Sequence, residues 1–154
     1  MTPIAQLLSP EDIRLDVEVP TKGRLLEEIG RHMERQHGLH QDWVVQSLAR
    51  REQVGSTGVG EGVAIPHARV RELNRILAAY LRLRMPIPFG APDGLPVTHI
   101  IVLLVPKEAA DEHLQVLAAV TRLFSDRRFR ERLEACGDTH EVLASFAAHP
   151  DVPD

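Results

Sequence analysis

The sequence contains few residues of several kinds, and each scarcity excludes a class of protein. Cys136 is the only cysteine among 154 residues, so the chain can form neither an intramolecular disulfide nor a cluster of thiolate metal ligands. Aromatic residues make up 4% of the chain, which predicts a core of mostly aliphatic side chains. The longest strongly apolar run, IIVLLV at 100–105, is far shorter than the ~20 residues that cross a bilayer. Because the N-terminus also lacks the basic and apolar regions of a signal peptide, we expect a cytoplasmic protein without membrane insertion.

The chain also lacks an excess of positive charge. The chain has 18 Lys and Arg against 22 Asp and Glu, which gives a formal net charge of −4. A surface that follows nucleic-acid phosphates normally needs a positive excess, so we expect no nucleic-acid partner. The contents of 44% hydrophobic and 26% charged residues are ordinary for a globular protein. The length suits one domain over residues 1–154.

The pattern of apolar residues predicts the order β-α-α-β-β-β-α-α-α. The predicted strands cover 13–19, 63–68, 75–83 and 98–105, and the predicted helices cover the stretch between Thr21 and Gly38, 41–52, 110–125, 127–135 and 139–148. Trp43 is expected on the inner face of the second helix, and the proline-rich segment 85–96 is expected to be a loop or a hairpin connection. Since strict βαβ alternation is absent, a doubly wound parallel sheet is not expected. The order predicts an α/β domain of mixed α+β arrangement, with a central mixed β-sheet flanked by helices.

Four glycines fall within the stretch REQVGSTGVGEGVAIPHARV at 51–70. A P-loop needs a lysine after its second glycine, and no lysine lies between Lys22 and Lys107. The dinucleotide-binding fingerprint needs a preceding strand, whereas a predicted helix precedes these glycines. A glycine-rich turn that leads into a strand is the simplest interpretation. The alternative is an anion site, because the guanidinium of Arg51, two hydroxyls and free backbone N–H groups are suitable anion ligands.

Two of the eight histidines have an unusual setting. His67 follows the rigid Pro66 at the end of the glycine-rich stretch, and His113 lies in the first turn of a predicted helix, where free N–H groups attract anions. A neutral imidazole can attack phosphorus near neutral pH, and phosphoryl transfer needs mainly positioning and charge stabilisation. Arg51 and His113 would supply that stabilisation, although a solvent-facing residue is the simpler interpretation of His113.

The other histidines are expected to have no part in a site. His99 opens a buried strand and is expected to be structural, and the remaining five are expected at exposed positions, namely His32, His37, His40, His140 and His149. A metal hydrolase built on His67 and His113 is the rival hypothesis. No recognisable group of carboxylate or histidine ligands surrounds either residue in the sequence, so we expect no metal.

The glycine-rich stretch resembles the active-site signature of the enzyme IIA proteins of the fructose–mannitol class in the bacterial phosphotransferase system. The resemblance extends to PIPFGAPDGLPV and to IIVLLVPKEAADEHLQVLAAVTRLFSD, and it covers about residues 4–148. Within that family the chain is most similar to the nitrogen-regulatory branch. The resemblance implies a single α/β domain with a central mixed sheet flanked by helices, which agrees with the order of predicted elements.

The resemblance also implies roles for individual residues. His67 would accept a phosphoryl group, typically on Nε2, from a phosphocarrier protein of the HPr or NPr type. His113 would be the second active-site histidine, and Arg51 would lie near the phosphate. Three residues would line the phosphate pocket, namely Ser56, Thr57 and Gly58. No cofactor is implied.

Two functions follow from the resemblance. In the first, the phosphorylation state of His67 controls binding to other proteins, for which this branch suggests potassium transporters and sensor kinases. In the second, a sugar-transport enzyme IIA passes the phosphoryl group from His67 to a fructose- or mannitol-type enzyme IIB. In both, the protein is a phosphoryl carrier that works through a phosphohistidine. The 154 residues contain no cysteine-bearing IIB-like region and no permease segment, which favours the regulatory function.

Overall fold

A six-stranded mixed β-sheet organises the chain, in a computed structural model that describes residues 3–108 and 110–148. The helices are α1 (Ile4–Leu7), α2 (Lys22–His37), α3 (Gln41–Val54), α4 (Ala110–Ser125), α5 (Arg127–Ala135) and α6 (Thr139–Ala148), and a 3₁₀ turn covers Pro10–Asp12. The strands are β1 (Ile13–Val17), β2 (Gly58–Gly60), β3 (Val63–Ala64), β4 (His67–Val70), β5 (Leu77–Ile87) and β6 (Val97–Pro106). The predicted fold class, a mixed sheet flanked by helices, is therefore confirmed.

Strand β6 is the centre of the sheet. It pairs with β5 in antiparallel fashion on one side, and with β3 and β4 in parallel fashion on the other. The sheet is completed by β1, parallel to β5, and by β2, antiparallel to β3. Side chains of β6 alternate between two apolar clusters, one packed with α2 and α3 and the other with α4, α5 and α6. Because both faces are covered, the strand is continuously apolar.

Several boundaries differ from those predicted. Strand β1 ends at Val17 instead of residue 19, and its pairing with β5 is irregular between Arg14 and Val17, where Asp16 takes a positive φ of 56°. Strand β5 runs on through Pro86 to Ile87, into the segment predicted as a loop or a hairpin connection. The proline is tolerated because the register of β5 against β6 is irregular between Arg82 and Ile87, so its missing N–H interrupts no regular ladder. The short α1 and the 3₁₀ turn were not predicted.

Two other expectations near the glycine-rich stretch are corrected by the structure. The single strand predicted over 63–68 is two strands, β3 and β4, which Pro66 separates. Trp43 was predicted on the inner face of α3, but it is 49% exposed and stacks on His40 with ring centroids 4.8 Å apart. The buried stripe of α3 consists of Val44 and Leu48, one turn apart, and a residue directly before Val44 points about 100° away from that stripe.

None of the helices that the structure describes combines the length and the apolar character needed to cross a membrane.

Gly58 opens β2 at a place with no room for a side chain. A Cβ at this position would lie 2.9 Å from the Cβ of Ala91 and 3.1 Å from its Cα. We expect Gly58→Ala to lower the free energy of unfolding by about 1–3 kcal/mol, because the new methyl group forces the backbone at Ala91 to shift. Urea unfolding followed by circular dichroism measures this change.

Gly55→Ala is the matched control for this experiment. A Cβ at Gly55 meets no atom within 4 Å, and its φ of 165° is extended backbone that alanine can adopt. We expect its effect on unfolding to stay within about 0.5 kcal/mol. Equal destabilisation by the two substitutions would contradict the steric explanation for Gly58.

Candidate functional site

His67 begins β4 and is held in one tautomer by a backbone hydrogen bond. Its Nδ1 lies 2.7 Å from the carbonyl oxygen of Ile65. A carbonyl oxygen can only accept, so the neutral ring carries its proton on Nδ1 and leaves a free lone pair on Nε2. The side chain is half-buried, which leaves one side of the ring open. The geometry therefore leaves the lone pair of Nε2 available to a ligand or to a reaction partner.

His113 lies beside His67, as the anion-site hypothesis expected. The two ring centroids are 5.8 Å apart and the ring planes meet at 60°. His113 is the fourth residue of α4 and is only 9% exposed. Its Nε2 is buried and has no hydrogen-bond partner among the residues that the structure describes. A buried polar nitrogen without a partner is costly, and a ligand oxygen between the two rings would provide one.

Burial and nearby positive charges favour the neutral form of both histidines by lowering their pKa values. Burial lowers the pKa of His67 from its ordinary 6.5, the hydrogen bond to Ile65 opposes that effect, and the positive charge of Arg51 lowers the pKa further. Burial also lowers the pKa of His113, with smaller contributions from His67 and from the positive charge of Arg69. A neutral His67 keeps the Nε2 lone pair that nucleophilic attack requires.

Arg51 lies in the last turn of α3, where its Nη1 donates to the carbonyl oxygen of Gly55 at 2.8 Å. This bond anchors the side chain across the start of the glycine-rich loop. Its guanidinium is close enough to influence the pKa of His67. A guanidinium has five N–H groups, and four of them remain after one such bond. Arg51 can therefore still donate hydrogen bonds to an anion near His67.

The predicted phosphate-pocket residues use their donors in hydrogen bonds to other protein groups. The hydroxyl of Ser56 donates to the carbonyl oxygen of Phe89 at 2.7 Å and accepts from the N–H of Gly58 at 3.0 Å. The hydroxyl of Thr57 donates to a carboxylate oxygen of Glu52, and so does its N–H, at 3.1 Å. These groups hold the loop in shape. A direct contact of Ser56, Thr57 or Gly58 with phosphate stays a prediction.

Glu52 is an important residue that the sequence analysis missed. Its side chain is 7% exposed, and it accepts hydrogen bonds from Thr57 and from Nζ of Lys22, the latter at 2.8 Å. Lys22 in turn lies over the ring of Phe89, 4.3 Å from its centroid. The carboxylate thus joins α2, α3 and the loop that leads to His67. The one feature of the sequence that could have pointed to Glu52 is its position directly after Arg51, at the start of the glycine-rich stretch.

The remaining histidines fall into two groups. His40 and His140 are exposed, as predicted, and His149 lies outside the described residues. The prediction was wrong for His32, which is 1% exposed and bonds to the buried carboxylate of Asp12 at 2.7 Å.

His37 was also predicted to be exposed, but it is largely buried and shares the carboxylate of Asp12 at 2.9 Å. His99 is buried against the hydroxyl of Tyr80, 2.8 Å from its Nδ1, in the structural setting that was expected. Within the described ranges, no three His, Cys, Asp or Glu side chains are placed to hold a metal ion.

Comparison with known proteins gives consistent matches over nearly the whole chain. A family model described as "Phosphoenolpyruvate-dependent sugar phosphotransferase system, EIIA 2" matches residues 6–149. A nitrogen regulatory protein of Bradyrhizobium diazoefficiens is 35% identical over 148 residues, which are 96% of this chain and 97% of the relative.

Two solved structures place the fold in the same group. The nitrogen regulatory protein IIA-Ntr of Neisseria meningitidis superposes with a TM-score of 0.88 at 43% identity, covering 93% of this chain and 98% of that one. The mannitol enzyme IIA of Escherichia coli, in a complex with phosphorylated enzyme IIB, gives a TM-score of 0.77 at 22% identity, covering 92% and 98%. The second likeness concerns the fold alone.

Removing the carboxylate of Glu52 tests its role in holding the loop. We expect Glu52→Ala to lower the free energy of unfolding by about 1–3 kcal/mol, because it leaves the hydroxyl of Thr57 and the ammonium of Lys22 without their buried partner. Glu52→Gln retains an acceptor and should cost less. Denaturant unfolding measures both, and Glu27→Ala on the exposed face of α2 is the control, with an expected effect within about 0.5 kcal/mol. Equal effects of Glu52→Ala and Glu27→Ala would contradict this role.

The protonation of His67 gives a second prediction from the site. The pKa of His67 should lie below 6.5, so its ring stays mostly neutral as the pH falls to 6.5 and becomes protonated only at lower pH. Since the unfolded chain takes up the proton first, stability should decrease as the pH falls below about 6.5. Long-range ¹H–¹⁵N NMR spectra measure the pKa and the tautomer, with His67→Gln to assign the signals. A pKa above 6.5, or a neutral ring protonated on Nε2, would refute the prediction.

Proposed function

This chain belongs to the EIIA 2 family of the phosphoenolpyruvate-dependent sugar phosphotransferase system, and on that premise we propose that it is a phosphoryl-accepting regulatory protein. His67 receives a phosphoryl group from a phosphocarrier protein, and the phosphorylation state of His67 controls the binding of partner proteins. The observation that carries this proposal is the hydrogen bond from Nδ1 of His67 to the carbonyl oxygen of Ile65, because it leaves Nε2 as the attacking atom.

In the proposed step, Nε2 of His67 attacks the phosphorus atom of a phosphohistidine on the carrier. A new N–P bond forms as the carrier's N–P bond breaks, and the electron pair of the broken bond returns to the carrier's imidazole. The Nδ1 proton of His67 stays in place, and its bond to the carbonyl oxygen of Ile65 stabilises the positive charge that develops on the ring. The reaction needs neither a metal nor a cofactor to balance.

Arg51 and His113 are proposed to stabilise the transferred group. The guanidinium of Arg51 carries a fixed positive charge near His67, which suits a phosphoryl group with charge spread over three oxygens. The ring of His113 lies beside that of His67, and its Nε2 has no hydrogen-bond partner among the described residues. In the tautomer with a proton on Nε2, His113 would donate a hydrogen bond to a phosphoryl oxygen.

The regulatory output rests on the change of charge. A phosphoryl group adds about −1.5 to −2 charge at neutral pH, enough to change which surfaces dock at this edge of the sheet. The nitrogen regulatory proteins that match over nearly their full length support this role over sugar transport. Potassium transporters and sensor kinases are the proposed partner classes. The alternative is onward transfer to a fructose- or mannitol-type enzyme IIB.

Phosphoryl acceptance can be tested with purified components. The protein is incubated with enzyme I, a phosphocarrier protein and labelled phosphoenolpyruvate, and acid-labile, base-stable label is measured. We expect the wild type to take up one phosphoryl group and His67→Ala to take up none. We expect His113→Ala to be labelled more slowly, by about 10-fold or more, since it loses one stabilising donor.

The exposed His140 supplies the matched control, and His140→Ala should be labelled at the wild-type rate. Labelling of His67→Ala to the wild-type extent would refute His67 as the acceptor. Adding a fructose- or mannitol-type enzyme IIB to the labelled protein then separates the two functions. Rapid transfer of the label to enzyme IIB would favour sugar transport over regulation.

A further inference from the structure

An open groove lies between the outer face of α3 and the edge formed by β4. Its volume is about 480 Å³, and eight residues line it: Trp43, Gln46, Ser47, Arg50, Arg69, Val70, Arg71 and Lys107. The four residues from α3 are spaced by three, four and seven positions, so they form one stripe of the helix. The other four come from β4, from the residue after it and from the turn that follows β6. This size falls in the range of small-molecule pockets, ~300–1,000 Å³.

The groove is strongly cationic, in contrast to the chain as a whole. Four of its eight lining residues carry positive charge and none carries negative charge, whereas the net charge of the protein is −4. All four cations are exposed. None of them forms an ion pair with a carboxylate of the described residues; Arg69 donates instead to the carbonyl oxygen of Lys107 at 2.9 Å. Glu72, which follows Arg71 in the chain, accepts from the N–H of His40 and does not line the groove.

Unpaired cations that converge without a neutralising carboxylate repel each other. Two unit charges of the same sign about 7 Å apart interact unfavourably by ~2 kcal/mol at an effective dielectric constant of 20, before screening by salt. An anion with several charges relieves this repulsion at several cations at once. Arginine supplies three of the four charges, and its planar fork matches phosphate oxygens in bidentate fashion.

Trp43 adds an aromatic surface to the same groove. It is 49% exposed, although buried aliphatic residues occupy the inner face of α3. One face of its indole stacks on His40 with an angle of 13° between the rings, so the ring is held in a defined orientation. An exposed, oriented indole beside cationic groups can stack on a planar ring of a ligand.

We infer that this groove binds a small molecule that carries at least two phosphate groups and a planar ring, as a nucleoside diphosphate does. The phosphates lie among the cations of Arg50, Arg71 and Lys107, and the ring packs on Trp43. Arg69 and Val70 come from the end of the glycine-rich stretch, but the predicted phosphate-pocket residues Ser56, Thr57 and Gly58 do not line the groove. It also requires no phosphorylation of His67.

The chain contains its own reporter for this site, because Trp43 is the only tryptophan. The fluorescence of Trp43 is titrated with ADP, with excitation at the red edge of tryptophan absorption, where adenine does not absorb. Pyrophosphate, adenosine and a hexaglutamate peptide are titrated in parallel. We expect a saturable change with ADP, weaker binding of pyrophosphate, and no saturable response to adenosine or to the peptide.

Charge reversal on the two sides of the groove identifies the site. We expect Arg50→Glu and Arg71→Glu each to weaken ADP binding by at least about tenfold, since each replaces an attraction with a repulsion of similar size. Arg128→Glu carries the same change of charge on α5, which packs on the opposite face of the sheet, and should leave the affinity within about twofold. Circular dichroism establishes that each variant is folded, and Arg50→Gln and Arg71→Gln provide milder changes.

Any of the following results would overturn the inference. No saturable response to ADP or pyrophosphate would exclude a phosphate site in the groove. Equal affinities for ADP and pyrophosphate would remove the planar ring from the ligand class, and binding of hexaglutamate without ADP would assign the groove to an acidic protein segment. An ADP response that survives both charge reversals would place the ligand elsewhere. His67→Ala should bind ADP as the wild type does, so failure of the phosphoryl-transfer proposal is separable from failure of this one.

Discussion

One hydrogen bond, from Nδ1 of His67 to the carbonyl oxygen of Ile65, determines what the site can do, and much of the surrounding fold holds its two ends in place. The N–H of Ile65 donates to the carbonyl oxygen of Thr57 at 3.0 Å, and the N–H of Leu103 donates to the carbonyl oxygen of Pro66 at the same distance. The chain is thus tied to the glycine loop on one side and to the central strand on the other. Pro66 has no N–H to pair, so the break between β3 and β4 at this residue leaves no donor unsatisfied.

The shape of the loop depends in turn on one buried carboxylate. The carboxylate of Glu52 is buried, and Lys22 and two donors of Thr57 satisfy it there. Since Lys22 opens α2 and Glu52 lies near the end of α3, the bond also fixes the two helices relative to each other. The loop therefore has an indirect link to the core, through α2 and its buried apolar side chains. Removing this carboxylate would loosen the segment that positions Arg51 as well as the segment that leads to His67.

The parts of this structure that the sequence predicted are those governed by local pattern. The bounds of α4, α5 and α6 agree with the 3.6-residue spacing of their apolar residues, and the apolar run at 100–105 identified the central strand. The parts that were missed depend on partners distant in the chain. His32 is buried because a carboxylate 20 residues earlier accepts from it, and the proton of Ser56 goes to Phe89, 33 residues later. A polar residue's neighbours in sequence carry no information about such partners.

For the candidate site, the contribution of the sequence was similarly divided. The setting of His67 behind a proline and of His113 at a helix start indicated an anion site, and the resemblance to a family assigned them a chemistry. The resemblance implied Nε2 of His67 as the acceptor, but the local sequence alone could not indicate which nitrogen is free, because that depends on a backbone carbonyl two residues away in a particular conformation. Nor could it indicate that the hydroxyls of Ser56 and Thr57 are already occupied. Tautomer and donor occupancy are tertiary properties.

The electrostatic layout connects the two sites that the structure suggests. His67 and Arg69 lie on the same face of β4, two residues apart, which corresponds to about 7 Å along a strand. That separation is shorter than the screening length of about 8 Å at physiological ionic strength. Arg69 already influences the pKa of His113 and also lines the cationic groove. A phosphoryl group on His67 would therefore act on the field of the groove directly, through charge alone and without any movement of the backbone.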